Sequence, residues 1–446
     1  MTFLGAAVRI GAFVHRFGRW TLQMDFSAFY TAGESLNHGL SPYVNNFRAG
    51  IWDGVDSYLH SRFLYPPLVA SLFQPVADLR YSTAKVVWMC IALGCLAFAL
   101  WVAVRAAGMG SRVEPLLGAG ISAALFFPLL TLLERGQIDT VTLALVTLAA
   151  WGLSAGSAIP GGAGLPAWRR YGAGALLALA TLLKLNIVYL VPFLILRRQW
   201  KALLGFAAGG LLVLLASVAI NGPALVRSYV HTDLPRVELY GEGGPGALPS
   251  ADFRSLLIRV PSGDTRQDGV VYPTAYFGFV ANGTLVRALA RHFPKLNQSR
   301  LSLRLFEISL GFMVLLEGLF WLRGVPPRGE DEFAYWNIVF DIVLFTGPLT
   351  WVMNVVWLLP VVAVVMGQLR RPGNLLQGIA LGACALGLVW AALPDMGSFS
   401  MLLPDGVRWK LLGDPWKYPA AELAVFFGLV LLLAAAPRRV PPAGQA

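Results

Sequence analysis

Val86-Val87-Trp88-Met89-Cys90-Ile91-Ala92-Leu93-Gly94-Cys95-Leu96-Ala97-Phe98-Ala99-Leu100-Trp101-Val102-Ala103-Val104 carries no charged side chain and is closed by Arg105. A helix rises about 1.5 Å per residue, so a run of this length covers the roughly 30 Å apolar core of a bilayer. The pattern repeats along the chain. Apolar blocks recur near residues 3–20, 82–105, 113–133, 138–156, 172–184, 186–197, 202–220, 301–322, 333–350, 352–369, 374–393 and 418–436. Over the 446 residues, 57% are hydrophobic and 13% charged, with mean hydropathy +0.63. Soluble domains carry about 25% charge. The sequence is that of an all-α polytopic membrane protein with about 10–12 transmembrane helices.

The formal net charge of +11 does not indicate nucleic-acid binding. The basic residues sit at the ends of apolar blocks, where membrane orientation and anionic headgroups account for them. Loops with Arg105 and Arg112, Arg169 and Arg170, Arg197, Arg198 and Lys201, Arg323 and Arg328, Arg370 and Arg371, and Arg438 and Arg439 all fall on one side, expected to be cytoplasmic. Residues 21–81, the 134–137 turn, the long loop 221–300 and residues 394–417 fall on the other. The three cysteines lie inside apolar runs with no metal-ligand spacing. No small-residue cleavage site follows the first, Arg-interrupted block, so no cleavable signal peptide is expected. The preference for Arg, Ala, Gly and Leu suggests a bacterial source. There is no P-loop, no dinucleotide fingerprint and no paired metal carboxylates. No cofactor is expected.

The chemistry begins at Met24-Asp25-Phe26-Ser27-Ala28-Phe29-Tyr30. Acidic side chains near a membrane boundary are rare without a role. Asp25 is either a general base, favoured by low-dielectric surroundings, or a helix N-cap. Phe26, Phe29, Tyr30 and Leu36 recur at helical spacing, which predicts a helix lying in the membrane interface. Glu134-Arg135-Gly136-Gln137 joins two blocks on the Asp25 side. Arg135 could grip a phosphate and Gln137 could bond a sugar, or the turn could simply hold a local ion pair. The blocks 172–184 and 186–197 are too short to cross singly. They read as a broken pair whose tip, Lys184-Leu185-Asn186, sits in a cavity, with Lys184 an anion ligand or a snorkelling side chain. Phe345-Thr346-Gly347-Pro348-Leu349-Thr350-Trp351-Val352-Met353-Asn354 forms a Gly/Pro-broken hinge on the same side, or part of an aromatic belt. The charges of loop 221–300 read as solvated.

Several of these stretches, taken in order, resemble one family. They are Asp25-Phe26 with Tyr30, Ala32-Gly33, Leu36, Gly39 and Pro42-Tyr43; Tyr65-Pro66-Pro67 with Pro75 and Leu79; Gly136-Gln137; Lys184, Pro192 and Arg197-Arg198-Gln199-Trp200; and Gly347-Pro348-Leu349-Thr350-Trp351. Together they resemble the bacterial polyprenyl-phosphate-sugar-dependent glycosyltransferases of family 87. The resemblance implies a single GT-C transmembrane domain over residues 1–446, with the catalytic acid in its first long non-cytoplasmic loop. It implies transfer of mannose or arabinofuranose from a polyprenyl-monophosphate donor to a lipid-linked or cell-envelope glycan, on the extracytoplasmic side of the inner membrane. Asp25 matches the family's catalytic Asp. Lys184 matches a family position, and Arg135 joins it here as a proposed phosphate ligand. Gln137, Asn186, Tyr65, Trp351 and Asn354 complete the expected donor-binding set. No metal is required if cations hold the phosphate. Many members carry one or two histidines just after the hinge Trp; this chain has Met353 and Asn354 there. A flippase or transporter of a lipid-linked sugar, and a non-catalytic homologue, are the competing readings.

Overall fold

The computed structural model describes residues 24–44, 46, 63–110, 112–154, 167–235, 284–293, 298–322, 327, 329–347, 350, 352–371, 373–393 and 416–435, with positions 4, 8 and 11. All regular structure among them is helical. The first apolar block, most of loop 221–300 and nearly all of residues 394–417 lie outside the described residues, as does Trp351.

Helices α1 (Met24–Asn37) and α2 (Pro67–Ala77) pack on each other. They are followed by α3 (Tyr81–Ala106), α4 (Val113–Leu125), α5 (Phe127–Arg135) and α6 (Asp139–Ser154). α4 and α5 bend by 70° at Phe126. Pro128, in the first turn of α5, explains the break, because its ring would clash with the carbonyl four residues back in a continuous helix. α7 (Ala167–Leu183) ends at Lys184, which is extended (φ −145°, ψ 104°). A 3-10 turn (Leu185–Leu190), α8 (Val191–Leu196) and α9 (Trp200–Ser228) follow, the last kinked at Gly222-Pro223. Then come α10 (Leu285–His292), α11 (Gln298–Leu322), α12 (Glu330–Thr346), a second 3-10 turn (Val352–Leu358), α13 (Leu359–Gln368), α14 (Leu375–Ala392) and α15 (Lys417–Ala435).

Five of these helices are long and apolar enough to cross a membrane, or six if the bent pair is one span. Other blocks read from hydropathy form shorter or interrupted helices among the described residues, such as Asp139–Ser154, Leu185–Leu196 and Val352–Gln368. Hydropathy senses apolar composition, whereas Pro128, Lys184 and Pro192 interrupt continuity. α12 is enclosed from Glu332 to Thr346, its polar Asn337 and Asp341 included. α9 has the opposite character, with Leu204, Leu211, Leu212 and Leu215 all exposed, which suits a lipid-facing helix.

Small residues set the closest helix contacts. A Cβ on Gly174 would run into the Ala202 carbonyl, one on Gly205 into that of Tyr171, and one on Gly209 against Ala175. The register advances in the same direction on both helices, so α7 and α9 run parallel, and residues 185–196 carry the chain back between them. Close packing of small side chains is how membrane helices associate without a hydrophobic driving force.

Some of the segments that charge bias grouped on one side, those at Gly108, Arg197 and Arg371, meet around the start of α12. Arg197 bonds Glu317 and Glu332, Arg371 pairs with Glu330 and Asp331, and Gly108 abuts Glu330. Asp25, Tyr65, Arg135, Gln137, Lys184 and Asn354 gather in a separate place. The helix expected over the aromatic stretch after Asp25 is present as α1, its first part packed inside the protein and its end at Asn37 exposed. Asp25 to Gly33 are all buried.

Candidate active site

Aromatic packing fixes the position of Asp25. Phe26 stacks on Trp88 with ring centroids 6.0 Å apart, and Phe29 stacks on Phe73 at 4.8 Å. Tyr30 donates to the Leu79 carbonyl at 2.8 Å. A Cβ on Gly33 would lie 2.8 Å from the Phe73 carbonyl, so only glycine lets α1 and α2 approach this closely. These contacts bind α1 to α2 and to the start of α3, and they hold Asp25 in the first turn of α1.

Arg135 reaches Asp25 from the end of α5. Gly136 adopts the left-handed conformation (φ 70°, ψ 36°), and the Gln137 N–H turns back to the Leu132 carbonyl at 3.1 Å. This is a glycine-terminated helix end. The Trp88 indole N–H donates to the Gly136 carbonyl at 2.8 Å, locking the turn against α3. The guanidinium then meets Asp25 through two bonds, Nε to Oδ2 at 2.5 Å and a terminal nitrogen to Oδ1 at 3.0 Å. The pair has the bidentate geometry that makes Arg–carboxylate contacts strong. Asp25 is therefore neither an isolated carboxylate nor a simple helix cap.

The same turn delivers a second carboxylate that hydropathy and motif spacing do not single out. Asp139 opens α6 and is fully buried. An acid in the first turn of a helix is favoured by the helix dipole. Lys184 Nζ lies 3.2 Å from its Oδ2, and Asn354 Nδ2 donates to its Oδ1 at 2.8 Å. Asp139 thus ties together α6, the break after α7 and the second 3-10 turn. Asn354 commits its side-chain amide to this carboxylate. Asp139 is also near enough to Asp25 for their charges to oppose one another. The signal that could have found it was an acid at the start of an apolar block, since intramembrane carboxylates default to function.

Tyr65 and Gln137 border the two ion pairs. The Tyr65 hydroxyl donates to Gln137 Oε1 at 3.3 Å, and the Tyr65 ring packs on Phe29 at 4.8 Å. The Tyr43 hydroxyl donates to the Tyr65 carbonyl at 2.8 Å. Burial pushes the Tyr43 phenol well up from its ordinary range, with Tyr229 and Asp233 adding to the shift, so it stays a neutral donor. Asn186 sits just past the break at Lys184, its Oδ1 buried without a hydrogen-bond partner. Of the expected site residues, Asp25, Arg135, Lys184 and Asn354 belong to the two ion-pair groups, Tyr65 and Gln137 flank them, and Asn186 is placed by its link to Lys184. Chemically, the cluster offers two anion-binding cations, two carboxylates and several neutral hydrogen-bonding groups.

The family model for glycosyltransferase family 87 matches residues 63–318. The match spans more than half of the chain and includes Tyr65, Arg135, Gln137, Asp139 and Lys184, whereas Asp25 and Asn354 lie beyond it. No curated protein matches the chain. A polytopic helical protein of this kind is a membrane glycosyltransferase, and the chain belongs to glycosyltransferase family 87.

Proposed function

We propose that the protein transfers a sugar, mannose or arabinofuranose, from a polyprenyl-monophosphate donor to a lipid-linked or cell-envelope glycan, with inversion at the anomeric carbon. In this reading the chain is one GT-C domain in the inner membrane of a bacterium, and its site opens to the extracytoplasmic face. The observation that carries it is the meeting of two cations, Arg135 and Lys184, with two buried carboxylates beside the packed aromatic rings of Phe26, Phe29, Phe73 and Trp88. A lipid phosphate needs fixed positive charge at the membrane edge, and an acceptor hydroxyl needs a base.

Asp25 is the base. It takes the acceptor's proton as that oxygen forms its bond to the anomeric carbon. The bond from that carbon to the phosphate oxygen breaks, its electron pair leaving with the phosphate. The phosphate is thereby converted from a singly charged diester to a doubly charged monoester. Arg135 and Lys184 stabilise that developing charge, which is the preorganised electrostatic work that dominates many enzyme rates. The phosphate leaves as an anion, so the mechanism requires no acid on the leaving group. Tyr65, Gln137, Asn186, Asn354 and Trp351 are the proposed sugar and donor contacts.

The test uses purified protein in lipid, with radiolabelled polyprenyl-phosphate mannose or polyprenyl-phosphate arabinofuranose and a membrane lipid extract. Label passing to an acceptor supports the reading. Label crossing the bilayer without transfer points to a flippase, and no movement of either label rejects these donors.

A further inference from the structure

Asp25, Asp139, Arg135 and Lys184 sum to zero charge, yet they are unequally exposed. The side chains of Asp25 and Asp139 are 5% and 0% accessible, while those of Arg135 and Lys184 are 17% and 15%. In each pair the cation is the more exposed partner and the carboxylate the more buried one, so the cation is the member that an incoming anion can reach more readily. The base proposed above is also occupied. Both oxygens of Asp25 accept hydrogen bonds from one guanidinium and stay engaged as long as the pair holds. Asp139 has two partners that differ in kind, an ion pair with Lys184 and a hydrogen bond from Asn354. Lys184 brings three rotatable donors on a flexible stem, whereas Asn354 is buried within a 3-10 turn whose residues are all enclosed.

We propose that Asp25 and Asp139 are place-holders for the donor's phosphate, which binds by displacing them from Arg135 and Lys184. The exchange frees Asp25 to act as a base only once the donor is seated. This deepens the polyprenyl-phosphate reading and rests on it. The two non-bridging oxygens of a phosphodiester fit the guanidinium fork as a carboxylate does. The ammonium can turn from Asp139 to the phosphate without moving the backbone at the break. Asn354 remains on Asp139 when Lys184 departs, so the buried carboxylate keeps a donor. Removing every partner from such a charge is severely unfavourable. The arrangement imposes an order, donor before acceptor, and keeps the base silent in the empty enzyme. Asp139 is in this sense a positioning residue: it holds Lys184 in reserve and touches no reacting atom.

The test measures binding of polyprenyl phosphate, the leaving group without its sugar, to the full-length protein in lipid nanodiscs. Wild type is compared with Asp25→Asn and Asp139→Asn. Exchange predicts that both variants bind polyprenyl phosphate more tightly, by about tenfold or more, because a charge-assisted pair no longer has to be broken. Asp25→Asn does so while losing transfer. Equal or weaker binding in these variants overturns the exchange. Because Asp139→Asn disturbs a buried pair, a second readout uses wild type labelled with 13C-aspartate. Adding polyprenyl phosphate is expected to shift the aspartate carboxylate infrared bands, and part of that shift disappears in Asp25→Asn. Unchanged bands on saturation overturn the exchange while leaving the donor assignment intact. No binding to any form removes the donor assignment, and the exchange with it.

Discussion

Replacing Lys184 by Met tests whether the second ion pair exists as described. Lys184 Nζ stands 3.2 Å from a carboxylate oxygen of Asp139, whose side chain is fully buried. At an effective dielectric of 20, that separation corresponds to an attraction of about 5 kcal/mol. Desolvation offsets part of it in the intact pair. Removing only the lysine, however, leaves the buried Asp139 carboxylate, among the described residues, with the hydrogen bond from Asn354 and without its ion-pair partner. Breaking a buried pair by deleting one partner destabilises by about 3–5 kcal/mol. Lys184→Met is therefore expected to lower stability by that amount, and Asp139→Asn alone by a similar one. The double variant, in which both charges are gone, should recover most of the loss, because neutral groups of similar size often replace a buried pair with little penalty. Transfer activity should stay down by about 100-fold or more in the double variant, since one of the two groups holding the phosphate is missing. The assay is a double-mutant cycle on unfolding of the detergent-solubilised protein, with transfer measured on the same samples. Additive losses, with no recovery in the double variant, would refute the pairing of Lys184 with Asp139.

Three further outcomes follow from the geometry. Asp25→Asn should reduce transfer by about 100- to 10,000-fold, the usual range for a lost general base, with the variant still recovered folded from membranes. Gly136→Ala forces a side chain into a left-handed conformation at φ 70°, which should lower stability by about 1–2 kcal/mol and raise KM for the donor more than substitutions remote from the site do, because Arg135 precedes it. Asn354→Leu deletes the second donor to Asp139 and leaves an acceptor less satisfied; a stability loss of about 1–3 kcal/mol is expected by thermal unfolding, and an unchanged melting curve would show that this bond is not formed.

The membrane character and the placement of helices were legible because they depend on composition and charge bias, which are local. The 82–105, 301–322, 374–393 and 418–436 blocks correspond closely to α3, α11, α14 and α15. The break at Lys184 was legible too, since a lysine between two apolar runs, each too short to cross alone, marks an interruption of the span. Continuity was less visible. The 113–133 block reads as one span although Pro128 and the extended Phe126 split it. Burial of α1 was hidden because aromatic residues at helical spacing fit an interface and a core equally well. What decides between them is Gly33 against Phe73 and the stacking on Trp88, contacts made far along the chain. The site was half legible. Asp25, Arg135 and Lys184 stood out singly, but their pairing did not. Arg135 reads in the sequence as a phosphate ligand, and the structure engages it with Asp25, 110 positions away. Asp139 was lost inside an apolar block, although it is the residue that joins Lys184 to Asn354.

The central claim is that Asp25 drives sugar transfer from a lipid phosphate. It is tested most directly by incubating wild type and Asp25→Asn with radiolabelled polyprenyl-phosphate mannose and arabinofuranose in the presence of membrane lipid extract, and following label into the acceptor fraction. Wild type is expected to transfer label from one of the two donors, and Asp25→Asn protein that is folded and still binds polyprenyl phosphate is expected to have lost that transfer. Full transfer by Asp25→Asn would contradict it.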